Sequence, residues 1–343
     1  MKRVRVEPID VIELPRLLEA AHRAARGKRD RDDVQAFYTD LECSLDTVGE
    51  ALERGRLPHG TYRRFRICDP KPRIIHAAPF ADRVAHHALM APLEQPLDNW
   101  QPATSFACRR GLGTHKAIAH AQRLCRRHRW YLKTDIAGYF EHINHETLVR
   151  LLHRRFRRRW LFELIDAVLA SYWIAPGRGL PIGALTSQHF ANAYLVPADR
   201  WLIDHPLVRG HCRYMDDTVF WTESSASARA LATAYREWLG DTLHLELKPA
   251  VIQPVRHGLS LCGTRIRPER LRPGRRRQRR FRQRLDYWEA AYADGWIDSP
   301  TLQRRLDALV AMLAPGESIN WRRELLHRRA ALVETGGQCE EAL

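Results

Sequence analysis

Apolar residues recur every three or four positions over long stretches of the chain. Between residues 32 and 57 the recurring positions are Val34, Phe37, Leu41, Leu45, Val48 and Leu52. This spacing places them on one face and predicts a single amphipathic helix. Similar patterns predict helices over residues 80–92, over 114–128 with Thr114 as N-cap, and over 226–239. Another helical run should extend to about residue 204, with a kink at Pro197.

Short apolar runs bounded by turn residues predict strands. Residues 62–67 and 73–76 flank Asp69-Pro70-Lys71-Pro72, whose prolines fix turn geometry, so a hairpin is expected there. Residues 130–135 predict a buried strand that ends at Asp135. Residues 208–214 and 218–221 predict a second hairpin around Tyr214-Met215-Asp216-Asp217. Shorter strands are expected at 244–247 and 259–266, and the remaining chain to Val333 has a helical pattern.

Composition is that of a globular protein with more than one subdomain. The chain has 343 residues, of which 45% are hydrophobic and 28% charged. No apolar stretch approaches the roughly 20 residues of a membrane span, and residues 1–10 lack the apolar core of a signal peptide, so a cytoplasmic protein without a membrane partner is expected. The clearest boundary lies at residues 267–274, where prolines, a glycine and arginines interrupt the pattern.

Positive charge indicates a polyanionic partner. Lysine and arginine number 56 against 40 acidic residues, which gives a formal net charge of +16. Nucleic acid fits this excess better than an anionic membrane, because the charge is spread along the chain and not concentrated on one amphipathic helix. Arginine is densest at residues 150–159 and 275–284.

Three acidic residues suggest a site for two metal ions. Asp216 and Asp217 are adjacent in the predicted hairpin, and Asp135 precedes Asp216 by 81 residues, at the end of a predicted strand. Magnesium prefers hard oxygen ligands, and a metal pair needs several carboxylates that converge from different strands. Aspartate also favours turns, so the alternative is that these are ordinary surface residues.

The order of several motifs resembles that of reverse transcriptases over residues 62–266. The motifs are Lys71-Pro-Arg73-Ile, residues 105–116, Leu132-Lys-Thr-Asp135 with Phe140, residues 180–188, Arg213-Tyr-Met-Asp216-Asp217 and Leu247-Lys248-Pro. The resemblance implies an α+β right-hand polymerase. Its fingers would span residues 1–130, a palm with an antiparallel sheet 131–266, and a basic helical thumb 267–343.

The resemblance also implies a catalytic centre. Asp135, Asp216 and Asp217 would bind two Mg²⁺ ions, with Mn²⁺ as a possible substitute, and Ile136 would contribute its backbone carbonyl. Lys248 would be a general acid beside the leaving pyrophosphate. The activity implied is RNA-directed DNA synthesis from dNTPs.

Other residues correspond to family positions that bind the incoming nucleotide. Phe140 would clash with a ribose 2′-OH and so select dNTPs, with an ordinary core phenylalanine as the alternative. Lys71 and Arg73 would grip the triphosphate as the fingers close, with Arg73 over the base; solvated surface charge is the alternative. The pocket motif, residues 180–188, would contribute Ile182, Gly183 and Gln188, and the part of it that carries Ile182 and Gly183 is here called the pocket loop.

A third group of residues would contact template RNA and cDNA product. Arg109, Arg110 and Lys116 lie around Gly111 and Gly113, where a flexible basic loop would track template phosphates; solvated charge is the alternative. The resemblance adds Tyr214 and Met215 at the hairpin, and Arg276 and Arg280 on the thumb. Leu261-Cys262-Gly263 stands where family members usually have Phe-Leu-Gly, so the primer grip is less clearly defined.

The pocket motif indicates a branch of the family. Most reverse transcriptases have Gln-Gly and end this motif in Ser-Pro, whereas this chain has Ile182-Gly183 and Ser187-Gln188. The variant resembles the diversity-generating retroelement branch, which implies copying of a template-repeat RNA, mutagenesis at template adenines and an accessory protein. Because Ile182 lacks the hydrogen-bonding group of glutamine, lower fidelity is the hypothesis. A defence-type reverse transcriptase and a non-catalytic RNA-binding scaffold with a polymerase fold remain alternatives.

Overall fold

The structure is a computed structural model that describes residues 3–68 and 72–311, together with 319, 321, 323 and 325. The backbone of Arg73 is described, but its side chain is not. Lys71 and most of the predicted helical segment beyond residue 311 lie outside the described residues. The predictions made for Lys71 and for the gripping side chain of Arg73 therefore have no structural account.

Helices form most of the described chain. In chain order they are α1 (Ile9–Ile12), α2 (Leu14–Ala25), α3 (Asp32–Thr39), α4 (Leu41–Glu53), α5 (Phe80–Trp100), α6 (Thr114–Arg127), α7 (Tyr139–His142), α8 (His145–His153), α9 (Arg159–Ala170), α10 (Leu185–Tyr194), α11 (Val196–Asp204), α12 (Ser225–Leu243), α13 (Arg275–Ala293) and α14 (Ser299–Ala311). None of these helices combines the length and the apolar character needed to cross a bilayer.

Strands form four small sheets in the described residues. They are β1 (Val4–Arg5), β2 (Arg63–Cys68), β3 (Pro72–Ala77), β4 (Trp130–Thr134), β5 (Phe156–Arg157), β6 (Gly210–Tyr214), β7 (Asp217–Thr222), β8 (Val251–Pro254), β9 (Leu259–Leu261), β10 (Thr264–Ile266) and β11 (Leu271–Pro273). Strands β1 and β5 pair in parallel, and β2 and β3 form the N-terminal hairpin. The larger sheets have the orders β6-β7-β4-β8 and β11-β10-β9, and both are antiparallel. This mixture of helices and antiparallel sheets agrees with the predicted α+β class.

The four-stranded sheet is covered on both faces. Side chains alternate across a strand, so neighbouring residues of β4 and β7 face opposite sides. Leu132 and Phe220 face the main core, whereas Tyr131, Val219 and Trp221 belong to a second core shared with α6 and the three-stranded sheet. Burial on both faces explains why β4 and β7 are almost continuously apolar.

Two predicted helices are divided by the structure. The helix expected over residues 32–57 is α3 and α4, because Asp40 between them has φ −127° and ψ 68°. The run expected to end near residue 204 is α10 and α11, separated by Leu195. Pro197 does not kink a helix there; it lies in the first turn of α11, where its missing N–H costs no hydrogen bond.

Other boundaries also differ from the predictions. The helix from Phe80 continues through two prolines to Trp100, and it packs against α2, α4 and α10. Gly113, not Thr114, is the N-cap of α6. The strand expected over residues 244–247 is reduced to one bridge between Ile136 and Leu247, while β8 and β11 were not predicted.

Candidate active site

The hairpin of β6 and β7, here called the carboxylate hairpin, carries two of the three predicted acids at its turn. Tyr214 pairs with Asp217, so Met215 and Asp216 form a two-residue turn. Met215 has a positive φ of 56°, which non-glycine residues adopt infrequently and at a cost in strain. Such strain persists only where the surrounding contacts fix the backbone.

Asp135 lies at the same edge of the sheet as this turn. Strands β4 and β7 are antiparallel neighbours, with Thr134 opposite Thr218. Asp135 follows Thr134, and Asp217 precedes Thr218, so the two acids extend from the same end of the strand pair. Burial raises the pKa of Asp216, and the nearby carboxylates of Asp135 and Asp217 raise it further. The structure therefore brings the three predicted carboxylates into one electrostatic group.

Two lysines contact this group. Lys248 Nζ lies 2.8 Å from Asp135 Oδ2, and the Lys248 backbone N–H donates to the Asp135 carbonyl at 2.9 Å. Lys133 Nζ lies 3.0 Å from Asp217 Oδ1 and donates to the Ser260 carbonyl at 3.2 Å. The role of Lys133 was not predicted. Lys133 lies two residues before Asp135, and this spacing, which places both side chains on the same side of an extended chain, is the signal that could have identified it.

The donor set suits a divalent cation, although the geometry of the described residues is not that of a formed metal site. In the described ranges no group of three or more His, Cys, Asp and Glu residues is arranged to hold an ion. Asp135 and Asp217 instead have ammonium groups as partners. Carboxylate oxygens are the ligands that hard divalent ions prefer. Burial raises the pKa of Asp216, the carboxylates of Asp135 and Asp217 raise it further, and a bound cation would compensate their negative charge.

The backbone at Ile136 is compatible with the predicted carbonyl ligand. Ile136 bridges to Leu247, but the two hydrogen bonds of this bridge are made by its neighbours: Lys248 N–H to the Asp135 carbonyl and Ala137 N–H to the Glu246 carbonyl. The Ile136 carbonyl takes part in neither bond. The Ile136 side chain is buried, so only its backbone is available to the site.

A buried arginine positions the turn of the carboxylate hairpin. Arg213 is 1% exposed, and its guanidinium makes two 2.7 Å bonds to the carboxylate of Asp199. The same group donates to Asn192 Oδ1 at 2.9 Å and to the Met215 carbonyl at 3.1 Å. Burial alone would raise the pKa of Asp199, but Arg213 and the adjacent His211 keep that pKa below its usual value. Arg213 therefore connects the strained turn to a buried ion pair.

Two of the residues predicted to bind the nucleotide, Ile182 and Gly183, lie against β3 of the N-terminal hairpin. His76 N–H donates to the Ile182 carbonyl at 3.0 Å, which joins β3 to the loop before α10. Gly183 has φ +120°, and a Cβ there would lie 3.1 Å from Ile75 Cγ2 and 3.2 Å from the His76 carbonyl oxygen. A Cβ at this position would require Ile75 and His76 to shift by a few tenths of an ångström, and the positive φ would add backbone strain, so glycine suits this close approach.

Ile182 and Phe140 occupy different surroundings. Ile182 lines a cavity of about 750 Å³ together with Ile74 of β3 and the exposed Trp173. Phe140 is partly buried against the main core, and its carbonyl accepts from Leu180 N–H at 2.7 Å.

Gln188 is exposed on α10 and lies close to the carboxylate hairpin. Cys108 Sγ lies 3.5 Å from Gln188 Oε1 and 3.9 Å from Met215 Sδ. The predicted pocket residue Gln188 therefore shares a neighbour with the hairpin turn. Tyr214 and Met215, predicted to contact nucleic acid, are both partly exposed.

One of the predicted template-binding residues is already engaged within the protein. Arg109 Nε lies 2.5 Å from Asp98 Oδ1, and its Nη1 donates to the carbonyls of Pro102 and Ser105 at 2.6 and 2.9 Å. With its guanidinium bonded in this way, Arg109 orders the loop before α6. The contact with template phosphates that was predicted for it would require these bonds to be exchanged.

The other basic residues predicted to bind nucleic acid lie in two places, near the start of α6 and on α13. Arg110 and Lys116 lie in and after the loop that Arg109 orders. Arg276 and Arg280 lie four residues apart on α13, so they share one face of that helix.

Comparisons with known proteins agree with the motif order. Residues 69–263, more than half of the chain, match the family described as reverse transcriptase (RNA-dependent DNA polymerase). The chain is 26% identical over 192 residues to the group II intron-encoded protein LtrA of Lactococcus lactis subsp. cremoris, which covers 53% of this chain and 32% of LtrA. It is 22% identical over 170 residues to the putative COX1/OXI3 intron 1 protein of Saccharomyces cerevisiae, which covers 47% of this chain and 20% of the yeast protein.

The chain thus spans a third or less of the length of these two relatives. The match to the family nevertheless includes Asp135, the pocket loop and the whole carboxylate hairpin. The chain belongs to the reverse transcriptase (RNA-dependent DNA polymerase) family.

Proposed function

We propose that this protein is an RNA-directed DNA polymerase that extends a primer 3′ end with dNTPs on an RNA template. The observation that carries the proposal is the convergence of Asp135, Asp216 and Asp217 at one edge of an antiparallel sheet, within a chain of the reverse transcriptase family. The proposal includes a right-hand layout, with fingers at 1–130, palm at 131–266 and thumb at 267–343.

Metal-assisted phosphoryl transfer is the proposed chemistry. When bound, a pair of divalent ions, Mg²⁺ or Mn²⁺ in its place, supplies activation of the primer hydroxyl and charge neutralisation at the triphosphate. The three aspartates would hold these ions, with the Ile136 carbonyl as a further ligand. Lys248, in contact with Asp135, would give a proton to the leaving pyrophosphate.

Nucleotide selection is assigned to residues around the pocket loop. Phe140 would exclude a ribose 2′-OH by its size, and Arg73, with Lys71, would bind the triphosphate. Gly183 supports this arrangement, because it permits the close contact between the loop and β3, the strand that carries Arg73.

Primer extension on an annealed RNA–DNA primer–template tests the polymerase proposal. Asp216→Asn should lower the metal-dependent rate by at least about a thousandfold, which is about 4 kcal/mol of transition-state stabilisation. Asp241→Asn is the matched control, since Asp241 is exposed near the end of α12, and it should leave the rate unchanged. Tight RNA binding by the unaltered protein without any metal-dependent extension would instead favour the non-catalytic scaffold.

We further propose that the enzyme serves a diversity-generating retroelement. It would copy a template-repeat RNA in the cytoplasm, with errors at template adenines and with an accessory protein as partner. Two features support this proposal: the Ile182-Gly183 and Ser187-Gln188 variant of the pocket motif, and an aliphatic side chain at Ile182 that offers no hydrogen bond to check base-pair geometry.

Misincorporation opposite template adenine tests the branch assignment. Ile182→Gln should lower it several-fold relative to the other template bases, because a hydrogen bond to the nucleotide is restored. Ile74→Gln introduces the same amide into the same cavity from β3 and should not change the ratio. An unchanged ratio in Ile182→Gln would contradict error-prone copying through this residue.

A second candidate is the copying of a group II intron RNA, which the name of LtrA favours. Neighbouring DNA separates the two candidates. Paired, nearly identical repeats that differ at adenines support the retroelement, whereas an intron RNA structure around the coding region supports the second candidate.

A further inference from the structure

A buried acid that takes no part in the proposed chemistry, Asp82, lies in the first turn of α5 and is 1% exposed. The backbone N–H of His59 donates to its Oδ1 at 2.8 Å, and the N–H of Gly60 donates to its Oδ2 at 2.9 Å. A carboxylate in the interior is destabilising unless hydrogen bonds compensate its charge. Asp199 has the guanidinium of Arg213 for this purpose, whereas Asp82 binds a segment of main chain.

The main-chain bonds to Asp82 are bonds to a charged group. Burial raises the pKa of Asp82, and the bonds from the N–H groups of His59 and Gly60 lower it, with a smaller contribution from Thr61. Both carboxylate oxygens act as acceptors, and hydrogen bonds to a carboxylate are stronger than those between neutral groups. Three consecutive residues of the chain therefore converge on one buried side chain.

These three residues belong to the root of the N-terminal hairpin. Residues 59–61 precede β2, and residues 78–79 connect the end of β3 to α5. The pair of the hairpin ladder nearest to the root is Arg63 with Ala77. One leg of the hairpin is therefore joined to α5 by the chain itself, and the other leg by Asp82. Because α5 packs against five other helices, it is a fixed base for both.

A second attachment begins one turn further along α5, at His86, which is 2% exposed. Its Nε2 lies 3.5 Å from the Tyr62 hydroxyl, and its Nδ1 lies 3.2 Å from Thr186 Oγ1 on α10. Burial lowers the pKa of His86 to about 4, so at neutral pH one ring nitrogen donates and the other accepts. Ser171 Oγ donates to the Val168 carbonyl at 2.6 Å, so at 3.4 Å it accepts from the Tyr62 hydroxyl. His86 Nε2 then donates to Tyr62, and Nδ1 accepts from Thr186.

We propose that Asp82 is a positioning residue for nucleotide binding, which anchors the root of the N-terminal hairpin to α5 and thereby holds β3 against the pocket loop. The root is fixed at Asp82 and Tyr62, whereas the six residues of β2 beyond it are all exposed. Since β3 carries Arg73, the angle at the root sets the position of the strand that is proposed to bind the triphosphate. The inference rests on the proposed function for the nucleotide, but not for the anchor.

Hydrogen exchange in the full chain, without nucleic acid, tests the anchor. Asp82→Asn has nearly the same volume but places an amide NH2 opposite one of the two N–H donors, so one bond is lost. The amides of His59 and Gly60 should then exchange at least about tenfold faster. Val84→Ala is the matched control, because Val84 lies on the same helix and has no exposed surface. It should also lower the midpoint of urea unfolding, but it should change the exchange of these two amides by less than about threefold.

Primer extension tests the positioning role. Asp82→Asn should raise the KM for dNTPs at least about fivefold while kcat changes by less than about twofold, because nucleotide binding is affected and the chemical step is not. Val84→Ala should leave KM within about twofold of the unaltered protein. Tyr62→Phe keeps the ring and removes the hydroxyl of the second attachment, so it should raise KM by about threefold.

The outcomes separate the anchor from the polymerase proposal. Unchanged exchange at His59 and Gly60 in Asp82→Asn would overturn the anchor, and faster exchange with a KM equal to that of Val84→Ala would overturn the positioning role. If Asp82→Asn does not fold, an unaltered KM in Tyr62→Phe overturns the proposal instead. If the unaltered protein extends no primer, the polymerase proposal fails, and the exchange rates alone decide whether Asp82 fixes the root.

Discussion

The N-terminal hairpin and the carboxylate hairpin both carry predicted site residues, yet they differ in how the protein surrounds them. All six residues of β2 are exposed. In β7, by contrast, the five residues after Asp217 are buried, and the central residues of β6 are buried as well. The carboxylate hairpin lies inside a sheet that is covered on both faces, whereas the N-terminal hairpin forms a separate two-stranded sheet.

The contacts at the two hairpins differ in the same way. Met215 is held by a donor from Arg213, which is itself bonded to buried Asp199. The N-terminal hairpin contacts the pocket loop at its base, through the His76 N–H to Ile182 carbonyl bond and the close approach of Gly183.

This difference teaches which part of the site has to be rigid. The proposed metal ligands would lose their effect when displaced by about an ångström, so a fixed turn suits them. The proposed closure of the N-terminal hairpin over a nucleotide would need motion, which its few buried contacts permit.

The largest expected difference in stability between the two hairpins comes from replacing one phenylalanine in each. Phe220→Ala in β7 should lower the free energy of unfolding by about 3–5 kcal/mol, because it removes a side chain with no exposed surface from the main core. Phe65→Ala in β2, where the side chain is 42% exposed, should cost less than about 1 kcal/mol. Urea unfolding measures both. Equal losses would show that the N-terminal hairpin is as tightly packed as the carboxylate hairpin.

Removing one partner of the buried ion pair between Arg213 and Asp199 gives the second largest expected loss of stability. Asp199→Asn leaves the Arg213 charge without a counter-ion in the interior and should cost about 3 kcal/mol in urea unfolding. Primer extension should also slow at temperatures where the variant is folded, because the Met215 carbonyl depends on Arg213.

The carboxylate hairpin offers a matched control for that pair. Arg209 Nε lies 2.8 Å from Glu223 Oε1, and both side chains are exposed. Glu223→Gln should therefore change stability by less than about 1 kcal/mol. In the double variant Arg213→Met/Asp199→Leu, part of the stability lost in Asp199→Asn should return. A loss in Asp199→Asn as small as that of Glu223→Gln would show that the buried pair does not support the turn.

Local pattern was sufficient for the elements that carry the carboxylates. The strand before Asp135 and the hairpin around Asp216 were predicted because apolar runs and turn residues coincide there, and α6 because its apolar spacing is regular. The helix through Pro92 was predicted too short because proline usually ends a helix, but burial against five other helices overrides that preference here.

Long-range pairing could not be predicted from the sequence. Strand β8 contains polar Gln253 and ends in Pro254, so it lacks a strand pattern and is defined by its pairing with β4. Arg213 was part of a recognised motif, but a buried arginine is uncommon, and nothing near it in the sequence identifies Asp199 as its partner. The ion pair of Arg109 was missed for the same reason, since Asp98 lies in a different element.

The smallest expected effect concerns the contact at the base of the N-terminal hairpin. Gly183→Ala should cost about 2 kcal/mol, from positive φ and from the collision of its Cβ with Ile75 and His76. Gly177→Ala is the control, because Gly177 also has positive φ, +69°, but no atom lies within 4 Å of the point that its Cβ would occupy, so only the backbone cost of about 1 kcal/mol applies. Because the collision moves β3 away from the pocket loop, Gly183→Ala should also raise the KM for dNTPs several-fold while Gly177→Ala leaves it unchanged. If the two variants match in both stability and KM, the close approach of Gly183 does not position the hairpin over the nucleotide site.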